Sequence, residues 1–370
     1  MNKRIAALLL LIIMIGCTPI KASAQVGKMN VSMTAVIPEN QIDKTKTYFD
    51  LKMKPGQVQE LEVLINNPLD EPVTVENHAN TAITNDNGIV DYSNSEPKLD
   101  ETLKSPFSAI SELEKETTIP AKSSKSLKVK VTMPEEEFDG VILGGLYFTE
   151  KEDKTKEEKE NSGVQIRNRL AFAVGIMIRE NDNAIKPDLK LGKIQPSQVN
   201  YRNVLKANIQ NTQPVIIQDM KVDVRVTKKG KNESLFEQNK TGVRMAPNSN
   251  FNFGISWANQ EFKPGTYTLH MNVTSGSDEW KWSKDFEISK KEAQELNEQA
   301  VELEVDNTKW YIIGGVAGAI VLIIITFVLS QYISKKRRQK RKRLKAQAIK
   351  KNRKKSMTKT SARKKHKKNN

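Results

Sequence analysis

The 370-residue sequence predicts an all-β protein: two tandem immunoglobulin-like antiparallel β-sandwiches, followed by a short helical stalk and one transmembrane helix. Between Val26 and Ile288 apolar and polar residues alternate in short runs. Those runs are separated by Gly, Pro, Asn and Asp, and no long amphipathic helix interrupts them. Alternation at period two buries one face of a strand, and many short strands at close spacing form sandwiches rather than a parallel sheet.

The clearest strand is Leu127, Val129, Val131 and Met133 interleaved with Lys128, Lys130 and Thr132. Leu61, Val63 and Ile65 repeat the pattern, as do Met220 to Val226 and Tyr267 to Val273. A polar break from Arg179 to Pro187 divides the run, which sets a first sandwich at 30–180 and a second at 186–289. Glu150 to Ser162 is almost wholly charged and reads as an exposed hairpin loop between Val141–Phe148 and Val164–Ile178. Pro55-Gly56 and Pro264-Gly265 are turn dipeptides, and Asn208 and Asn211 flank a strand end. From Lys290, the residues Ala293, Leu296, Ala300 and Leu303 recur at helical steps among acids, so 290–309 is expected to be a stalk.

Both ends address the chain to a membrane. Lys3 and Arg4, an apolar run from Ile5 to Ile15 and Ala22-Ser23-Ala24 make residues 1–24 a signal peptide cut between Ala24 and Gln25. A rival reading takes Met14 to Cys17 as a lipoprotein box that leaves Cys17 lipidated. From Ile312 to Leu329 eighteen residues carry no charge. At about 1.5 Å each they span about 27 Å, close to the hydrocarbon thickness. Twelve of them are Ile, Leu, Val or Phe, which favours insertion by roughly 4–7 kcal/mol before the glycines are counted. Trp310, Tyr311 and Tyr332 stand where interfacial aromatics belong, so the helix is assigned to 310–333, ending at Ile333. The cations from Lys335 to Arg338 mark the cytoplasmic side and give an N-terminus-out orientation. Gly314 and Gly318 form a G-x-x-x-G that permits self-association of the span.

The net charge of +16 is not spread evenly. Residues 331–370 hold twenty Lys or Arg and no acid, and the first 24 residues hold three and no acid. The rest keeps 37 bases against all 44 acids, a mildly acidic ectodomain, which excludes a nucleic-acid-binding protein as a whole. The tail at 334–370 is read as a disordered cytoplasmic segment facing anionic lipid headgroups. Cys17 is the single cysteine, so the mature region has no disulfide and must be held by its cores. That favours a bacterial surface over an animal receptor.

Chemistry has little to work with. His78, His270 and His366 are scattered, one per region, and no G-x-S-x-G, phosphate-binding glycine loop or H-E-x-x-H occurs. Gly144 and Gly145 sit inside an apolar strand-like run, where glycine marks a bulge or close packing. No catalytic residue, metal or cofactor is expected. Trp257, Trp280 and Trp282 fall at alternating or strand-end positions; Trp282 is in phase with Phe286 and Ile288 and reads as core, and Trp280 as near an edge.

Three stretches of the first half, FDLKMKPGQVQELEVLINN (Phe49 to Asn67), MPEEEFDGVILGGLYF (Met133 to Phe148) and IRNRLAFAVGIMI (Ile166 to Ile178), carry a resemblance. So do ANIQNTQP (Ala207 to Pro214), RMAPNSNFNFGI (Arg244 to Ile255), KPGTYTL (Lys263 to Leu269) and the WKWSKDFEI ending at Ile288. Together they resemble the WxL-interacting proteins of Gram-positive bacteria over nearly the whole chain. The resemblance implies a peptidoglycan-binding first domain, a second domain for host ligand or partner, and association with surface proteins carrying the WxL domain. It supplies no residue-level binding set. The expected function is thus a membrane-anchored surface binding protein, acting through extended surfaces and by strand addition at an open sandwich edge. A stand-alone adhesin for host matrix protein and a membrane-tethered wall-processing enzyme are the alternatives.

Overall fold

In the sequence the apolar run from Val141 to Leu146 fails to alternate, and its position in the fold gives the reason. It lies in β10 (Ile142–Glu150), a strand covered on both sides. Leu146 and Phe148 enter the core of a sandwich, while on the other face Leu143 lies beneath a second body of β-structure and Gly145 beneath the Tyr92 ring.

The computed structural model describes residues 31–151, 170–304 and 308–366. The signal peptide, both processing points at Ala24–Gln25 and Cys17, and the charged run beyond Lys151 lie outside the described residues.

One sheet of the first sandwich orders β1 (Ser32–Val36), β3 (Val58–Asn67), β9 (Ser123–Thr132) and β7 (Ser111–Leu113) as β1-β3-β9-β7. The facing sheet orders β2 (Phe49–Lys52), β11 (Ala171–Arg179), β10, β4 (Val73–Thr81) and β8 (Glu116–Ile119) as β2-β11-β10-β4-β8. Leu61, Val63 and Ile65 of β3 and Leu127, Val129 and Val131 of β9 are buried, as their alternation dictates. Their polar neighbours face solvent, where Lys128 pairs with Glu60 at 3.0 Å, an exposed contact that water and salt screen. Gly144 packs with its missing side chain against Phe107, which is fully buried in a short 3-10 turn at Phe107–Ala109. One pairing departs from the antiparallel rule: β2 runs parallel to β11, with Ile176 opposite Phe49. Residues 37–48 carry the chain from one sheet across to the other, with Gln41 bridging antiparallel to Leu51 of β2 on the way.

The second sandwich faces the sheet β12 (Leu189–Val199), β13 (Arg202–Asn211), β16 (Ser249–Ser256) with a four-stranded one. The latter orders β15 (Ser234–Met245), β14 (Ile217–Lys228), β17 (Gly265–Ser275) and β18 (Asp278–Ile288) as β15-β14-β17-β18. An aromatic cluster closes one end. Trp257 is 2% exposed, with ring centroids 4.1 Å from Phe236, 5.0 Å from Phe262 and 5.8 Å from Tyr267. Trp257 is therefore core and no binding surface, while Trp280 and Trp282 rest half-buried on the same core.

The stalk helix forms over Lys290–Gln299 (α1), but its apolar face is committed to the second sandwich rather than free in a spacer. Ala293 is buried in the sandwich core, Leu296 packs on it, and the Asn297 amide donates to the Phe262 carbonyl at 3.0 Å. Ser289 and Glu292 make a reciprocal cap at the start of α1, each accepting the other's backbone N–H. Hydrogen bonds from Ser289 hold the Glu292 carboxyl below its ordinary value, so the cap is complete at neutral pH and weakens as pH falls through that depressed value. Ser289→Ala is expected to cost about 1 kcal/mol, read as faster hydrogen exchange of the α1 amides with the strands unchanged.

A second unit begins at Glu304. It contains one helix, Thr308–His366 (α2), 59 residues and about 88 Å long. The expectation of a disordered tail after residue 333 is corrected: the helix continues to His366. After Gly318 the sequence has neither glycine nor proline, and Lys, Arg, Gln, Ala and Leu are strong helix formers.

Candidate binding site

The two sandwiches are fastened by a small apolar joint with a polar rim. Ala82 and Leu143 of the first and Ala246 of the second are buried together, with Val90, Tyr92, Met177 and Ile216 packed around them. Gly145 is what lets Tyr92 lie on the sheet, since a Cβ there would fall 2.8 Å from its ring. A two-stranded ribbon, β5 (Ile83–Thr84) and β6 (Val90–Asp91), reaches from the first sandwich onto the second. Gly88 turns it with φ of 67°, in the left-handed region where glycine is strain-free, and its carbonyl accepts from Arg244 N at 2.8 Å. Thr84 Oγ1 lies 2.6 Å from Ser249 Oγ and accepts from Ala246 N at 3.0 Å. Val141 N donates to the Pro214 carbonyl at 2.8 Å.

Asp100 is the charged member of this joint. Its side chain accepts from Thr102 within its own loop, and from Gln210 and Asn250 on β13 and β16 of the other sandwich. Burial raises its pKa, yet the hydrogen bonds from Thr102, Asn250 and Gln210 outweigh that and hold the carboxyl below its ordinary value. Nearby, Lys206 pairs with Asp86 at 2.9 Å. Asn211, by contrast, serves its own sandwich by donating to the carbonyls of Val215 and Ala246.

Beside the joint lies a groove of about 960 Å³. It opens where the first sandwich is not closed, between the edge strand β1 and the first half of β11, and its far wall is Ile216, Gln218 and Arg244 of the second sandwich. Met33, Ala35, Val174 and Ile176 give it apolar walls, and Tyr48 and Tyr92 add aromatic ones. Lys44, Lys46 and Arg244 line it, and among the described residues no Asp or Glu does. Behind it, the buried carboxylate of Asp50 lies 2.7 Å from Arg179 and 3.0 Å from Lys46. That hydrogen bond is the first cause raising the Lys46 pKa above its ordinary value. Burying Asp50 is tolerable because both cations and the Gln41 side chain, which accepts from Asp50 N, fix its position.

The residues expected to act in the membrane lie along α2: Ile312, Gly314, Gly318, Leu329 and Ile333 are all exposed. A Cβ at Gly314 or Gly318 would meet nothing within 4 Å, so the small-residue face is uncovered by the chain's own atoms. By length and composition this helix can cross a membrane. His270 sits on the outer face of the second sandwich, 3.2 Å from Ser283 Oγ. Burial, then Arg225, keeps its imidazole below the usual pKa, opposed by Asp285. No cluster of three His, Cys, Asp or Glu able to hold a metal occurs among the described residues.

Sequence reasoning did not single out Asp100, Tyr92, Lys44 or Arg244. The one available signal was the non-alternating run Val141–Leu146, which reports a strand covered on both faces.

Two family models match. Residues 31–150 match the WxL Interacting Protein peptidoglycan binding domain, and residues 161–298 match the WxL Interacting Protein host binding domain. The second match takes in β11, a strand of the first sandwich, so the groove is built from both matched regions. No curated protein matches the chain. Among solved structures it is similar to the class 5 fimbriae chaperone CfaA, with 12% identity and a TM-score of 0.27 over 69% of this chain and 98% of that one. The E. coli chaperone DraB matches with 14% identity and a TM-score of 0.24 over 70% and 98%. The CsuC–CsuE chaperone–tip adhesion subunit complex of Acinetobacter baumannii matches with 12% identity and a TM-score of 0.31 over 63% and 93%.

Proposed function

The chain belongs to the WxL-interacting protein family, and from that premise we propose that it is a surface retention protein, held by α2 in the cell membrane, that binds peptidoglycan and a partner carrying a WxL domain. Its two matched regions are binding domains by description, one for peptidoglycan and one for host. The observation that carries the reading is their order: a peptidoglycan-binding region, a host-binding region and then a helix long and apolar enough to span.

In this reading residues 1–24 direct export and are removed, and 310–333 span the bilayer. The sandwiches, at 30–180 and 186–289, work outside the cell. Residues 334–370 lie inside, where each cation near anionic headgroups contributes roughly 1 kcal/mol and fixes the orientation. The first sandwich holds peptidoglycan, and the second meets host or partner. Because the joint couples the sandwiches, a ligand on one is held at a fixed distance from a ligand on the other.

The test is co-sedimentation of the full chain in detergent micelles with purified peptidoglycan, and capture of a purified WxL-domain protein. Retention of both is the expected result, and retention of neither by folded protein would remove the reading. A second reading, direct adhesion to host matrix protein, draws on the host binding domain match. It requires matrix binding with no WxL-domain protein present.

A further inference from the structure

The groove beside the joint meets an incomplete sheet edge. On its outer side β11 is paired only along Ile176–Arg179, where β2 lies, while Ala171–Gly175 have β10 on one side and no strand on the other among the described residues. Arg179 O accepts from Met53 N at 3.0 Å on the β2 side. Backbone groups alternate sides along a strand, so the N–H and C=O of Ala173 and the N–H of Gly175 point toward the open side, while the Gly175 C=O faces Phe49 at the start of β2. Ala173 is exposed, and Phe172, in the same phase as the buried Val174, is 37% exposed. Neither proline nor charge blunts this edge, although exposed edges are ordinarily protected by one or the other.

We propose that the groove is a strand-addition site for an extended, acidic segment of a partner protein. The segment pairs with the open edge of β11, sets alternate apolar side chains against Val174 and Met33, and brings a carboxylate to Lys44 and Arg244. Two observations select this occupant. An unfinished ladder is completed by a polypeptide backbone and by nothing in a glycan strand. The charge is one-sided: among the described residues three cations and no carboxylate line the groove, in an ectodomain that is otherwise net acidic. Lys46 is already held by Asp50, whereas Lys44 and Arg244 make no ion pair among the described residues. The inference rests on the partner-binding reading above and deepens it by giving that reading a location.

The experiment measures binding of the full chain in micelles to a purified WxL-domain protein, and separately to peptidoglycan. Ala173→Pro deletes an edge N–H on the side away from β10, so the existing ladder is kept. Ala173→Val keeps the N–H and serves as its control. Lys44→Glu combined with Arg244→Glu reverses the charge with two exposed side chains, and keeps the test open should the proline variant fold poorly. Ala173→Pro and the charge reversal are each expected to weaken capture of the WxL-domain protein at least about tenfold, leaving peptidoglycan sedimentation and the Ala173→Val variant unchanged. Undiminished capture by the folded charge-reversal variant overturns the proposal. So does loss of peptidoglycan alone, which would make the groove a wall site, or a change only in self-association, which would make its occupant a second copy. If the wild-type chain captures no WxL-domain protein at all, the partner reading fails first and the groove assignment falls with it.

Discussion

Phe107→Ala is expected to destabilise the first sandwich by about 3–5 kcal/mol, the range for removing a fully buried aromatic side chain. Phe107 is 0% exposed, and its ring fills the space left by Gly144 on β10. Truncation would leave a cavity that the sheet cannot close, because Gly144 has no side chain to move into it. The reciprocal change, Gly144→Ala, puts a methyl group into that ring and should destabilise by overpacking. Combining the two should recover part of the loss, since each relieves the strain or the void the other creates. Hydrogen exchange of the β10 and β4 amides in the full chain measures all three. Equal protection in wild type and Phe107→Ala would refute the wedge.

The second large effect belongs to the joint. Asp100→Ala removes the acceptor shared by Gln210 and Asn250 and leaves both amides without it in a site where Asp100 itself is 8% exposed. Hydrogen bonds to a charged group contribute about 1.5–3 kcal/mol, so the joint should loosen by about 2–3 kcal/mol while each sandwich stays folded. The readout is the exchange rate of three amides that bridge the sandwiches, those of Val141, Arg244 and Ala246. They should lose protection while amides in the middle of β9 and β17 do not. The same joint is acid-sensitive in the wild type. The Asp100 carboxyl is held below its ordinary value near 3.8, so its contribution is full above that pH and is lost as pH falls through the depressed value. Asp100→Ala should abolish that acid step; an acid step that survives the substitution would assign it to other carboxylates.

The joint bears on binding because it turns two modules into one body. Single hinged sandwiches would present peptidoglycan and partner at varying distances. Here Thr84, Val141 and Arg244 each bond across the boundary, and the groove draws walls from both sides of it. Loosening at Asp100 should therefore weaken ligands that touch both sandwiches more than ligands that touch one.

Fold class, the alternating strands and the candidate span are all legible in residue spacing. A strand with one face in a core must alternate, as Leu127 to Val131 does, and a segment that lies in hydrocarbon must be apolar all round, as Ile312 to Leu329 is. These are local requirements and are written locally. The aromatic residues of the second sandwich were harder, because Trp257 stands at a strand end, where alternation says nothing, and is buried by Phe236, Phe262 and Tyr267 from elsewhere in the chain. The joint and the groove arise from packing between distant segments. Thr84 and Ser249, or Asp100 and Asn250, are brought together by the docking of one sandwich on the other, and no periodicity links residues so far apart. The open edge of β11 is of the same kind: it exists because β2 begins only at Phe49, opposite Ile176, a matter of where one strand starts against another. Burial of a face is encoded in spacing, whereas which surface covers it, and where the covering stops, follows from the packing of the whole chain.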